Sequence, residues 1–237
     1  MSNQLQIVQT ADGSNTIFNP QVGENYHSKN GALQESKHVF VKSGLDYFLN
    51  NSGSDTAKDN YDQVSPVSIL EVGFGTGLNF LLSADYCTNK NVKLDYTGIE
   101  AFPLSLDLIS QTGYDQYINF ALWQSFIDKY KDSLSTVINV DENNKLLVAN
   151  CKLLDFIAKH QFDIIYFDAF AAAYQPEMWD EQAITHTLSF LKPGGIFVTY
   201  AITGNLKRMV KALGCKIEKV PGAAGKREML RAVKLDN

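Results

Sequence analysis

Ile69-Leu70-Glu71-Val72-Gly73-Phe74-Gly75-Thr76-Gly77, residues 69–77, is an apolar run that breaks into alternating glycines and then into an apolar helical pattern. About 20 residues past the glycines, Glu100 closes a second apolar run, Leu94-Asp95-Tyr96-Thr97-Gly98-Ile99. The pattern predicts a buried strand, a tight turn whose missing Cβ atoms let a ligand touch backbone, and a helix. An acidic residue at the end of the next strand can accept hydrogen bonds from a ribose. A lone glycine turn is weak evidence, but strand, turn, helix and a correctly placed acid together point to a nucleoside ligand.

Glycine spacing separates two kinds of nucleoside ligand. A dinucleotide turn needs Gly-x-Gly-x-x-Gly, the third glycine giving close helix–strand packing under a pyrophosphate. Here the spacing is Gly-x-Gly-x-Gly, with Glu71 two residues before the first glycine. A carboxylate suits a pyrophosphate badly and a cationic amino group well. The turn resembles motif I of the class I S-adenosylmethionine-dependent methyltransferases. That resemblance implies S-adenosyl-L-methionine (SAM) as cofactor, bound by Glu71, Gly73, Phe74, Gly75, Thr76 and Gly77, with Glu71 and the three glycines lining its methionine part and Glu100 on its ribose.

Outward from this stretch the elements alternate as a doubly wound α/β sheet requires. Strands are expected at 67–72, 94–100, 145–150, 162–168 and 196–201. Helices are expected at 77–87, from Pro103, within 114–130, from the third strand to about His160, at 176–191 and at 205–213. Lys192-Pro193-Gly194-Gly195 reads as a stop and turn. The tail, 215–220 and 227–234, reads as two strands around the Pro221–Gly225 loop, the closing antiparallel hairpin of the methyltransferase fold. Residues 1–60 lie outside this unit. They are expected to form a hairpin about Ala11–Asn15, a helical stretch to about Asn50 and an exposed polar loop over 50–65, serving as a lid rather than an independent domain. Residues 61–237 then form the Rossmann-like domain.

Composition narrows the class of protein. The hydrophobic share of 45% over 237 residues suits one compact α/β domain. Absence of a long apolar run and of a charged, apolar leader at Met1-Ser2-Asn3-Gln4 predicts a cytoplasmic protein. Cys87, Cys151 and Cys215 are widely separated, and His27, His38, His160 and His186 lack ligand spacing, so no metal is expected. Net charge is −5, yet from Lys192 onward ten lysines and arginines oppose three acids. A basic segment on an acidic body can meet a polyanion, although a solvated helix face gives the same count.

Further segments sharpen the resemblance to the methyltransferase part of the MnmC family, which modifies the wobble uridine of tRNA, and to its stand-alone form without the FAD-dependent oxidase. They are Tyr26-His27-Ser28-Lys29-Asn30-Gly31 through Phe40, Gly73-Phe74-Gly75-Thr76-Gly77-Leu78-Asn79-Phe80, Phe167-Asp168-Ala169-Phe170 through Trp179, and Gly225-Lys226-Arg227-Glu228-Met229-Leu230. Ala169, Ala172 and Tyr174 depart from the family's Gly, Pro and Lys.

The resemblance implies SAM-dependent N-methylation of the 5-aminomethyl group of wobble 5-aminomethyl-2-thiouridine, with the tRNA anticodon region as partner. The alternative is an amine methyltransferase of the same fold acting on a small molecule or protein. Asp168 would orient or deprotonate the amine. Tyr26, Ser28 and Asn30 would cover the cofactor, and Asn150 or Asp155 would bind the adenine amino group. Phe74 or Phe102 would pack on adenine or in the core. Phe170 would meet the target base, Trp179 would stack on an anticodon base or pack inside, and Lys226 and Arg227 would contact phosphate or order the closing loop.

Overall fold

The computed structural model describes residues 4–51 and 65–236, so most of the polar loop expected at 50–65 lies outside the described residues. Strands β1 (Gln6–Gln9) and β2 (Asn15–Asn19) form the expected hairpin, and a short β3 (Glu24–Asn25) adds a third strand to it. The helical stretch that follows is α1 (Ala32–Glu35), a π-helical segment (Ser36–Asp46) and α2 (Tyr47–Asn51). Gly44 explains how this segment crosses the main sheet so closely. A Cβ there would lie 2.9 Å from Cε1 of Tyr166, a contact only glycine avoids.

The main unit runs β4 (Val67–Val72), α3 (Leu78–Asn89), β5 (Leu94–Ile99), α4 (Leu106–Ser110), α5 (Phe120–Ser133), β6 (Ile138–Asn139) and β7 (Asn144–Ala149). It continues with β8 (Phe162–Phe167), α6 (Glu181–Ser189), β9 (Leu191–Thr199), α7 (Gly204–Ala212), β10 (Cys215–Pro221) and β11 (Glu228–Lys234). The sheet order is β10-β11-β9-β8-β4-β5-β7-β6. The pairs among β7, β5, β4, β8 and β9 are parallel, while β11 enters antiparallel between β9 and β10. This is the class I methyltransferase fold with its closing hairpin.

Several boundaries differ from expectation, for local reasons. The chain after β7 forms only a short 3-10 turn, Leu153–Asp155, not a helix to His160. Pro103 lies ahead of α4, which Ser105 caps instead, its side chain accepting from the Leu108 N–H. Asp180 likewise divides the expected 176–191 helix into a 3-10 turn (Pro176–Trp179) and a capped α6. Lys192–Gly195 bulges within β9 rather than ending an element. Leu191 pairs with Phe162 and Ile196 with Ile164, leaving four residues opposite one.

Side-chain alternation along the strands separates two core layers. Ile69, Tyr96, Ile164 and Tyr166 face α3, α5 and the amino-terminal segment, with Ile17, Phe40 and Leu45 in the same layer. Leu70, Val72, Ile165 and Phe167 face the layer of Ile184, Leu188, Leu206 and Val210 on α6 and α7. The parity puts Glu71 and Asp168 on the first face, beside α3. Both stand at the carboxyl edge of the parallel strands, where folds of this kind bind ligands.

Candidate active site

The turn after β4 is held open by backbone geometry. Gly73, Gly75 and Gly77 have φ of 88°, 53° and 79°, the left-handed region that disfavours side chains. Their missing Cβ atoms also make room: one on Gly73 would sit 2.5 Å from the Asp168 carbonyl oxygen, and one on Gly75 2.8 Å from Cδ1 of Tyr26. The Tyr26 ring therefore lies directly on Gly75, and it meets Phe170 edge-on at 5.0 Å. Glu100, just past β5, accepts the Gly75 N–H at 2.9 Å with one oxygen and the Phe102 N–H at 2.9 Å with the other. Its carboxylate is raised above the usual range by burial, opposed by these backbone donors.

Beneath the turn lies a buried polar chain. Asn79, the second residue of α3, donates through its amide to Glu71 Oε1 at 2.7 Å and to Asp168 Oδ2 at 2.8 Å. The Tyr96 hydroxyl donates to Glu71 Oε2 at 2.8 Å. Glu71 is fully buried, and burial followed by the nearby Asp168 charge drives its carboxyl well above the ordinary value. Asp168 is partly open at the sheet edge. Burial pushes its carboxyl up to about 8; the Glu35 charge adds to the rise, and Asn79 and Lys226 oppose it.

A second cluster joins the amino-terminal segment to the closing hairpin. Lys226 donates to Glu35 Oε1 at 2.6 Å and stands 3.8 Å from the centre of the Tyr200 ring. Glu35 also accepts the Ser28 N–H at 2.9 Å. Asn30 Nδ2 donates to the Ala224 carbonyl at 3.2 Å, so Asn30 meets the closing loop. Glu24 on β3 accepts the Ala171 N–H at 2.8 Å, and Tyr200 donates to the Ala169 carbonyl at 2.9 Å. The loop after Asp168 is thus pinned from both sides.

Of the residues anticipated from sequence, Gly73, Gly75, Glu100, Tyr26, Asp168 and Phe170 come together here. Glu71 is displaced from its expected role: it lies under the floor of the site, its oxygens taken by Asn79 and Tyr96. Thr76 is buried and accepts from the Tyr114 hydroxyl at 3.2 Å, facing the core. Phe74 packs in the core across Gly98, whereas Phe102 is 77% exposed and has no core role. Trp179 packs inside against Phe167 and Tyr200, its indole N–H donating to the Phe170 carbonyl at 2.7 Å, so it offers no stacking face. Asn150 and Asp155 are both exposed near the end of β7. Lys226 orders the closing loop, while Arg227 is exposed, with no side-chain hydrogen bond or ion pair among the described residues.

Asn79 and Glu35 were not anticipated. The hint was a polar residue inside the otherwise apolar Leu78–Leu82 run, and an acid near the start of a helical stretch. No group of His, Cys, Asp and Glu able to hold a metal ion occurs among the described residues, and no described helix is long and apolar enough to cross a membrane.

A family model described as S-adenosyl-L-methionine-dependent methyltransferase matches residues 117–235, half of the chain. The chain belongs to that family. Curated relatives extend the likeness of this methyltransferase toward its amino terminus. It is 29% identical over 224 residues to the tRNA 5-methylaminomethyl-2-thiouridine biosynthesis bifunctional protein MnmC of Leptospira interrogans, covering 91% of the chain and 33% of that protein. To the protein of the same name from Acinetobacter baylyi it is 27% identical over 238 residues, covering 95% of the chain and 37% of the relative. The methyltransferase therefore spans about a third of the length of the curated relatives it matches. Among solved structures, MNMC2 from Aquifex aeolicus superposes with a TM-score of 0.71 at 20% identity, over 99% of this chain and 72% of that one, which establishes the shared fold.

SAM is the cofactor of this family, and the residues present fit it. The glycine turn presents backbone bare of side chains, where a Cβ on Gly73 or Gly75 would strike the Asp168 carbonyl or the Tyr26 ring, and Glu100 offers acceptor oxygens to a ribose. Shallow depressions elsewhere, by Glu181 and His186 and by Asp12 and Lys37, carry none of these groups.

Proposed function

We propose that this methyltransferase transfers the methyl group of SAM to the 5-aminomethyl nitrogen of wobble 5-aminomethyl-2-thiouridine in tRNA. The observation that carries the reading is the Asp168 carboxylate, raised to about 8, at the sheet edge beside the glycine turn and behind the Tyr26–Phe170 aromatic pair. The name of the curated relatives, as proteins of tRNA 5-methylaminomethyl-2-thiouridine biosynthesis, supports the substrate.

When bound, SAM supplies a methyl group made electrophilic by its sulfonium. The amine must reach it as the free base, because only that form has a lone pair. An aminomethyl group is largely an ammonium near neutrality, so a proton must leave first. Asp168 accepts a hydrogen bond from the nitrogen and takes this proton; a carboxylate whose pKa lies near working pH is matched to that task. Phe170 and Tyr26 confine the base and exclude water, so that nitrogen and methyl are held in line. Gly73, Gly75 and Gly77 offer backbone to the cofactor, Glu100 receives the ribose hydroxyls, and Asn150 or Asp155 receives the adenine amino group. The described amino-terminal segment, residues 4–51, serves as a lid on the Rossmann-like domain, with Tyr26 as its contact on the glycine turn. Arg227 reaches outward to tRNA phosphate.

The test is methylation of tRNA isolated from cells lacking this activity, read by nucleoside mass analysis. Gain of one methyl on the 5-aminomethyl nucleoside is expected. Transfer to small amines or proteins, with none to tRNA, would favour an amine methyltransferase of the same fold instead.

A further inference from the structure

Asn79 is buried, and its environment is unusual for a residue in the first turn of a helix, where a polar side chain ordinarily reaches solvent. Its one amide nitrogen serves two carboxylates that arrive from different strands, Glu71 from β4 and Asp168 from the end of β8. Strand register explains the meeting. Glu71 pairs with Tyr166 and Val72 with Phe167, so Asp168 stands one step beyond Glu71 on the same face. The first turn of α3 passes over both.

Stability does not account for the amide. Asn79 Oδ1 is buried without a hydrogen-bond partner. A buried carbonyl left bare costs about 1–3 kcal/mol, and Leu78, Phe80, Leu81 and Leu82 show that this stretch otherwise packs apolar side chains. The benefit lies in what the nitrogen does. It gives each carboxylate a donor, and a donor favours the charged form.

We propose that Asn79 is a positioning residue of the methyl transfer: its shared amide, anchored on Glu71, aims the Asp168 carboxylate at the sheet edge and favours its charged form over the protonated one. The proposal rests on the function given above in its link to turnover, but not in its link to Asp168. Other groups act on the same carboxylate: Glu35 from α1, Glu24 from β3, Lys226 from the closing loop and Tyr200 after β9. Among the described residues, Asn79 is the side chain that donates a hydrogen bond to it.

The experiment removes the donor in Asn79→Leu, with thermal melting to establish folding. Should that variant not fold, Asn79→Ser takes its place, since its single hydroxyl can serve one carboxylate but not both. The Asp168 carboxyl is followed by carbon-13 shift against pH in the cofactor-free protein. Loss of the donor is expected to raise its midpoint by roughly half a unit or more.

With tRNA as substrate, turnover is expected to fall roughly 10- to 100-fold through misorientation, with SAM affinity by calorimetry within a few-fold of the parent. The acidic limb of the pH–rate profile is expected to move to higher pH. In an Asp168→Asn background the same change is expected to cost less than about threefold, because residues acting through one another are not additive. An unmoved Asp168 titration, or a full additional loss in the Asp168→Asn background, would overturn the proposal. A parent protein that methylates no tRNA would sink the proposed function instead, and the carbon-13 titration would still decide Asn79.

Discussion

Asp168 concentrates the chemistry at the scale of single residues. Asp168→Asn keeps the side chain's shape and its contact with α3, so fold and SAM affinity should persist while turnover falls. A general base contributes about 10²–10⁴-fold, and single-turnover rates with saturating tRNA measure the loss. Raising pH should partly restore the variant by supplying free amine. Unchanged turnover at neutral pH would remove Asp168 from the reaction. Gly75→Ala tests the cradle independently: its Cβ meets the Tyr26 ring at 2.8 Å, and its φ of 53° is strained for any side chain. Calorimetry should show SAM affinity reduced at least tenfold, about 1.4 kcal/mol, in a folded protein; unaltered affinity would place the cofactor elsewhere.

Between elements, the decisive contact is the ion pair that ties the closing hairpin to the amino-terminal helix. Lys226 and Glu35 are 191 residues apart in sequence, and the Glu35 side chain is only 8% exposed. Lys226→Met keeps an unbranched stem of similar length but removes the ammonium from the Tyr200 ring and leaves Glu35 without its cation. Removing one partner of a partly buried pair should cost about 1–3 kcal/mol. Hydrogen exchange should accelerate over 222–228 and 28–36 together, because one contact orders both. Acceleration confined to one segment would mean that they are not coupled. The basic tail shows the same lesson: Lys192 pairs with Asp163, Arg231 with Glu218, and Lys234 caps the Leu188 and Leu191 carbonyls. Part of the charge that looked available for a polyanion is spent inside the fold.

For the molecule as a whole, the buried carboxyl groups make stability depend on pH. Asp168 rises from 3.8 to about 8 on folding, and Glu71, Glu100 and Glu24 also rise. The folded chain then holds protons that the unfolded chain has released, so stability falls as pH climbs between those values. His27 works in reverse: burial lowers it from 6.5 to about 4, which adds stability as pH rises toward 6.5. Above that point the carboxyl groups act without this opposition. Melting temperature should therefore fall from pH 6.5 to 8, and Asp168→Asn should flatten the fall. A flat parent curve would show that Asp168 is not raised.

The sequence by itself determined the strand, glycine turn and helix at 67–87, the acid at Glu100, the parallel core and the closing hairpin. Each rests on local chemistry: apolar alternation, left-handed backbone and turn residues act within a few positions of chain. It also exposed Asp168, because a carboxylate ending a buried strand has few other places to go. Tertiary structure alone decided that Glu71 lies under the site, that Asn79 joins it to Asp168, and that Lys226 turns inward to Glu35. These depend on strand register and on contacts across scores of residues, where a side chain's surroundings are set by the other face of the fold. The helix expected after β7 failed for the converse reason: Leu153, Phe156 and Ile157 would share one helical face, but the core takes only Leu153 and Phe156. There Ile157 stands 86% exposed.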